Sequence, residues 1–96
     1  MIIRWTNRAS RGVGRLSNFL SPVASETAAK VARTLTSAPN RLIIFPRVGQ
    51  RVESFASKEV RKLSINDYVM HYEIVGEDIL ILRIWHSRED RAFEEV

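Results

Sequence analysis

The chain contains no cysteine, which excludes disulfides, thiolate metal sites and thiol nucleophiles and fits a reducing cytoplasm. No stretch approaches the roughly 18 apolar residues of a membrane span, and Met1-Ile2-Ile3-Arg4-Trp5 lacks the apolar run of a signal peptide. A soluble, unprocessed, cytoplasmic protein is therefore expected. There is no phosphate-binding glycine loop, no dinucleotide turn, no HExxH and no cluster of cysteine and histidine, so neither a metal nor a cofactor is expected. Ninety-six residues suffice for one modest core and not for two, which makes residues 1–96 a single domain.

Acidic residues are scarce where basic ones are dense. Residues 1–66 hold 12 Lys and Arg against 3 Asp and Glu, whereas residues 67–96 hold 3 against 8. A net +9 followed by −5 points to a polyanionic partner for the basic part, either nucleic acid or an acidic protein. The alternative is that the arginines only solvate helix faces.

The stretch Tyr68 to Trp85 organises the chain. Residues 68–75 and 79–86 are β-branched, aromatic and aliphatic, and Gly76-Glu77-Asp78 between them supplies a tight turn, so a hairpin is expected. Its second strand is apolar on both faces but for Arg83, which calls for cover on both sides. Upstream, Ile2–Trp5 reads as a strand, with Thr6 or Asn7 as the cap of a helix over Asn7–Leu20. In that helix Ala9, Val13, Leu16 and Leu20 share one stripe and Arg8, Arg11 and Arg15 the opposite face.

Ser21-Pro22 ends the first helix, and Ala28, Val31, Ala32, Leu35, Ala38 and Leu42 mark a second that forms a hairpin with it. Pro39 should break the second helix near Ser37, with helix resuming from Asn40 to Phe45. Gln50 to Lys58 reads as a surface loop, residues 60–65 as a strand, Asn66-Asp67 as a turn and residues 87–96 as an irregular or weakly helical tail. The order β-α-α-β-β-β describes an α+β domain with a helical hairpin on one face of a mostly antiparallel sheet.

His71 and His86 are the only side chains that ordinarily titrate near neutrality, and His86 lies beside Arg83 and Arg88 at a strand end. In a regular strand Arg83 faces with Ile79, Ile81 and Trp85, while His86 faces with Leu80, Leu82 and Ile84. A site shared by Arg83 and His86 thus requires a bulge or strand end near Trp85, or Arg88 as the partner instead. Arg61 can hold a phosphate bidentately from a rigid strand, or it can pair with Glu59, Glu73 or an acid in the tail.

The element order, together with Phe45-Pro46-Arg47-Val48-Gly49, Val60-Arg61-Lys62-Leu63, Tyr68-Val69-Met70-His71-Tyr72 and Ile81 through Arg88, resembles the ParE/RelE toxins of bacterial type II toxin–antitoxin systems. That resemblance implies a toxin neutralised by an antitoxin whose acidic C-terminal segment wraps the helices and sheet, with Arg8, Arg11, Arg15, Arg33 and Arg41 as contacts for it or for the toxin's own target. It also implies one of two activities. RelE-like members cleave mRNA on the ribosome, for which Arg61, Arg83 and His86 match loosely, although no tyrosine follows Tyr72 to serve as the C-terminal tyrosine common in such sites. ParE-like members act on DNA gyrase without being nucleases, and the long helical hairpin and the Leu82-to-Arg88 ending resemble these more. Gyrase is therefore the expected target, with Trp85, His86 and Arg88 as its contacts. A DNA-binding or scaffolding module without toxicity is the third expectation.

Overall fold

The computed structural model describes residues 1–20, 25–53 and 57–88, without the side chains of residues 17–20 and 25. Its elements are β1 (Ile2–Trp5), α1 (Asn7–Leu20), α2 (Ser25–Ser37), α3 (Asn40–Ile44), β2 (Gln50–Arg51), β3 (Glu59–Ile65), β4 (Tyr68–Val75) and β5 (Asp78–His86). The strands form one mixed sheet in the order β1-β5-β4-β3-β2, on which the helices pack. The α+β class and the helix pair on a sheet match the expectation from sequence. β1 lies parallel to β5, and every other neighbouring pair is antiparallel.

Two-residue turns at Asn66-Asp67 and Gly76-Glu77 hold β3, β4 and β5 as a meander, with Ile65 opposite Tyr68 and Val75 opposite Asp78. Alternation decides which face takes the helices. On β3, Leu63 and Ile65 are buried while Lys62 and Ser64 are exposed, and on β4 the core side carries Met70, Tyr72 and Ile74. Ala9, Val13 and Leu16 of α1, Leu35 of α2 and Leu42 of α3 close this core. Leu20, the expected fourth residue of the α1 stripe, and the residues of the expected tail from 89 onward lie outside the described side chains and residues.

The sheet departs from regular alternation at one place. Tyr72 pairs with Ile81 but His71 pairs with Arg83, so Leu82 is an extra residue on β5. The bulge returns Ile84 to the core beside Ile79 and Ile81, and it turns Arg83 and Trp85 to the opposite face, across from His71 and Val69. The expected grouping of Arg83 and Trp85 with Ile79 and Ile81 is thereby corrected. Helices cover only the core face among the described residues; on the other face His71, Arg83 and Trp85 are buried, with the Trp85 ring in contact with both His71 and the Arg83 guanidinium.

Thr6 fastens α1 to this bulge. Its hydroxyl accepts the amide of Ala9, capping the helix, and donates to the carbonyls of Ile81 at 2.7 Å and Leu82 at 3.1 Å. Of the two caps expected, Thr6 is the one used. Pro39 ends α2 at Ser37 and starts α3, whose last residue is Ile44, one short of the expected Phe45. Within the expected loop the two-residue strand β2 pairs with β3, a contact too short for any sequence period to announce.

The two glycines of α1 behave oppositely. A Cβ on Gly12 would lie 2.8 Å from the carbonyl oxygen of Ile84, so the helix can meet β5 this closely only without a side chain there. A Cβ on Gly14 meets nothing within 4 Å. Gly14→Ala is accordingly expected to stabilise the fold by up to about 1 kcal/mol through helix propensity, and Gly12→Ala to destabilise it. Thermal or chemical denaturation of the two variants beside the wild type checks this, and equal shifts in one direction would contradict the helix placement.

Candidate functional site

Three surfaces gather the chemistry of the described residues. The first is a groove of about 680 Å³ where α1 crosses the end of β5. Among the described residues, Arg8, Arg11, Arg15 and Arg83 line it together with Gly12, Gly14, Ile84 and Trp85, and no acidic side chain does. The three α1 arginines are exposed, whereas Arg83 is 6% exposed and its guanidinium carbon sits 5.8 Å from the centre of the Trp85 ring.

The second is a clamp on the segment after α3. The Tyr72 hydroxyl, buried in the core, accepts the amide of Gly49 at 3.0 Å and donates to the carbonyl of Pro46 at 2.8 Å. Gly49 has to be glycine, since a Cβ there would lie 2.6 Å from the Tyr72 oxygen and from the Lys62 carbonyl oxygen. Arg61 donates through Nη1 to the carbonyls of Gly49 at 2.8 Å and Arg47 at 3.4 Å, and through Nε to Glu59 at 2.9 Å. Arg47 grips the same carboxylate from the other side at 2.8 Å and 3.0 Å.

Two guanidiniums on one carboxyl group set its acidity. The hydrogen bond from Arg47, then that from Arg61, hold the Glu59 carboxyl below its usual range, against the opposing effect of burial. Burial raises the Tyr72 phenol instead, only partly offset by its bond to the Gly49 amide, and keeps it neutral as donor and acceptor.

The third surface is what the clamp presents. Ile43, Ile44, Phe45 and Val48 are 47%, 73%, 64% and 53% exposed, an apolar knob in six residues, with exposed Arg41 beside it and exposed Arg33 on α2. Nothing in the periodicity of the sequence marked this knob, because Ile43 and Ile44 read there as ordinary helix residues. Pro46 marks a helix end in the sequence, whereas the Tyr72 contact that shapes the segment from Pro46 to Gly49 has no local signal.

Arg61, Arg83 and His86 do not meet. Arg61 lies opposite Tyr72 on the core side, where its hydrogen bonds hold the clamp. Arg83 lies opposite His71 on the other face. His86 lies opposite Tyr68, four residues along β4 from Tyr72, which is about 13 Å in an extended strand. The bulge that a shared site needs is present, yet it falls at Leu82 and leaves Arg83 and His86 on opposite faces.

His86 is half-buried, with its ring edge-on to Tyr68 at 5.2 Å, and its Nδ1 accepts the amide of Arg88 at 3.1 Å. In the neutral ring the proton is then on Nε2. Trp85, expected as a contact to the target, is 4% exposed and meets His71 edge-to-face at 4.7 Å. Exposed Arg88 and the His86 ring remain at the strand end. Among the described residues no three His, Asp or Glu side chains group as metal ligands, and no helix is long and apolar enough to cross a membrane.

The clamp generates a prediction about pH. Because the folded state holds Glu59 at a lowered pKa, its ion pairs stabilise the fold above the unfolded carboxylate pKa, and this contribution is lost as pH falls through the folded value. Glu59→Gln should therefore flatten the fall of the thermal midpoint between about pH 5 and pH 2. Tyr72→Phe, which strands the Gly49 amide and the Pro46 carbonyl, should cost about 1–3 kcal/mol at any pH in that range. Parallel pH profiles for Glu59→Gln and the wild type would show that the clamp contributes nothing.

The comparisons with known proteins bear on fold and family. A search of functionally curated proteins finds no match. Among solved structures, the chain is similar to one described as the chromosomal ParDE TA system from P. aeruginosa, at 21% identity and a TM-score of 0.75, covering 90% of this chain and 95% of that one. This likeness concerns the fold. The family described as "ParE toxin of type II toxin-antitoxin system, parDE" matches residues 3–91, nearly the whole sequence. The chain belongs to the ParE toxin family of type II toxin–antitoxin systems.

Proposed function

We propose that the protein is a toxin that inhibits DNA gyrase by binding it, without cleaving RNA itself, and that a cognate antitoxin neutralises it. The observation that carries the choice of activity is the commitment of Arg61. Stabilising the phosphorane of RNA cleavage requires cations and a general base aimed at one phosphate. Arg61 instead holds two backbone carbonyls and Glu59, and neither Arg83 nor His86 stands near enough to replace it. A protein that acts by binding needs surfaces rather than a converging site, and surfaces are what the fold offers.

For the target, His86 and Arg88 at the end of β5 are the contacts, with buried Trp85 supporting the strand beneath them rather than touching a partner. For the antitoxin, an acidic and partly apolar segment suits Arg33, Arg41 and the knob of Ile43, Ile44, Phe45 and Val48, and its acidic residues reach Arg8, Arg11 and Arg15 of α1. Such a segment gains affinity from both charge and apolar area. The cytoplasm is the compartment in which both partners would be met.

A paired assay on purified toxin tests the target. Gyrase supercoiling and cleavage-complex formation are followed in one reaction, and cleavage of ribosome-programmed mRNA in the other. Inhibited supercoiling or trapped DNA cleavage with intact mRNA is expected. His86→Ala should weaken gyrase inhibition about tenfold, the loss of one contact worth about 1.4 kcal/mol. Cleaved mRNA that disappears in His86→Ala, with gyrase untouched, would replace this reading with a ribosome-dependent nuclease.

A further inference from the structure

We infer that Tyr72 and Arg61 are positioning residues for binding: they preset the backbone from Phe45 to Gly49, so that the antitoxin meets the apolar knob already in its bound shape. The inference rests on the antitoxin reading for the identity of the partner, and on the clamp for its mechanism.

The segment is irregular, yet its main chain is tied along its length. The Phe45 amide donates to the Arg41 carbonyl at 2.9 Å, closing α3, and the Phe45 carbonyl accepts the Val48 amide at 3.2 Å. Tyr72 holds the Pro46 carbonyl and the Gly49 amide, and Arg61 holds the carbonyls of Arg47 and Gly49. Both ends are fixed as well. Leu42 is fully buried, and a side chain at Gly49 would strike Tyr72.

A surface segment does not require such a clamp, because water satisfies the main-chain groups of most loops. Here a buried phenol and an arginine do so instead, while Phe45 and Val48, the apolar side chains carried by the clamped backbone, stay exposed beside Ile43 and Ile44. Apolar groups held still in water gain nothing for the free chain. They favour association, since the entropy of ordering them is lost before the partner arrives.

Charge indicates the kind of partner. Between Glu26 and Glu53 the sequence holds five Lys and Arg and no acidic residue, and of these five Arg47 is engaged by Glu59. A second copy of the chain would set one basic patch against another, which is repulsive. Nor do four side chains approach the about 800 Å² per partner that a stable interface between folded proteins buries. An extended acidic segment avoids both difficulties. Its apolar side chains cover the knob, and its carboxylates run along exposed Arg41 and Arg33.

The affinity of full-length cognate antitoxin for immobilised toxin variants tests this, with circular dichroism confirming that each variant is folded at the assay temperature. Phe45→Ser, which removes the aromatic anchor, should weaken binding about thirtyfold. Val75→Ser, an exposed apolar residue at the end of β4, should match wild type. Tyr72→Phe should weaken binding about fivefold, and Arg61→Gln should do the same by a second route. A double variant separates positioning from general destabilisation. With Phe45→Ser already in place, Tyr72→Phe should weaken binding by less than about twofold, because the anchor it positions is gone.

The inference fails if Phe45→Ser binds antitoxin as wild type does, or if Tyr72→Phe and Arg61→Gln leave the affinity unchanged. It fails equally if Tyr72→Phe has the same effect with and without Phe45→Ser, which would make the clamp structural only. Wild type that binds no antitoxin would remove the antitoxin reading and this inference together, whereas antitoxin binding that ignores the knob would sink this inference alone. Phosphatidylglycerol vesicles that bind wild type and not Phe45→Ser, with antitoxin binding unchanged, would make the knob a lipid anchor instead.

Discussion

The fold depends on one hydroxyl group. Thr6 follows β1, caps α1 through the amide of Ala9, and holds the carbonyls of Ile81 and Leu82 at the bulge of β5. A bulge interrupts the sheet ladder, and the groups around it need other partners or they cost about 1–3 kcal/mol each. Thr6 supplies them, and by doing so fixes where α1 begins relative to the sheet. The close approach of Gly12 to Ile84 follows from that starting point, as does the position of the arginine face over the end of β5. The sequence of consequences runs from a local hydrogen-bond requirement to the place of a charged groove.

The arginines divide by what they touch. Arg47 and Arg61 are drawn inward by Glu59 and by carbonyls of the clamp, and Arg83 lies against Trp85 on the far face of the sheet. Arg4 pairs with Asp78 at 3.1 Å on the surface, a contact worth little to stability. Arg8, Arg11, Arg15, Arg33 and Arg41 are exposed on the helices, and this group supplies the positive field that a polyanionic or acidic partner would meet. Net charge alone cannot make this division, because it weights a structural arginine and a displayed one equally.

Much of the fold was legible because its signals are periodic. The apolar stripe of α1, the alternation on β3, the turn residues of the meander and the break at Pro39 each follow from local chemistry, and each element stands within a residue or two of its expected place. The bulge was not legible. One inserted residue inside Ile79-Leu80-Ile81-Leu82-Arg83-Ile84 leaves an apolar run looking continuous, and only the burial of both Ile81 and Ile84 on one face reveals it. The clamp was hidden for a different reason. Tyr72 and Gly49 lie 23 residues apart, and their bond depends on how the segment after α3 returns across β3. Arg61 therefore read as a free cation on a strand, with the Glu59 pairing as its alternative, and it is that alternative which the fold adopts.

Under the proposed function, this ParE family member arrests DNA metabolism by binding gyrase, and not translation by cutting mRNA. The most direct test is pulse labelling in bacteria during the first minutes after the toxin is induced, with thymidine and an amino acid as parallel labels. The account predicts that thymidine incorporation collapses while amino-acid incorporation continues, and that co-expression of the antitoxin restores it. Amino-acid incorporation that stops first, with DNA synthesis persisting and fragmented mRNA in the same cells, would contradict the account.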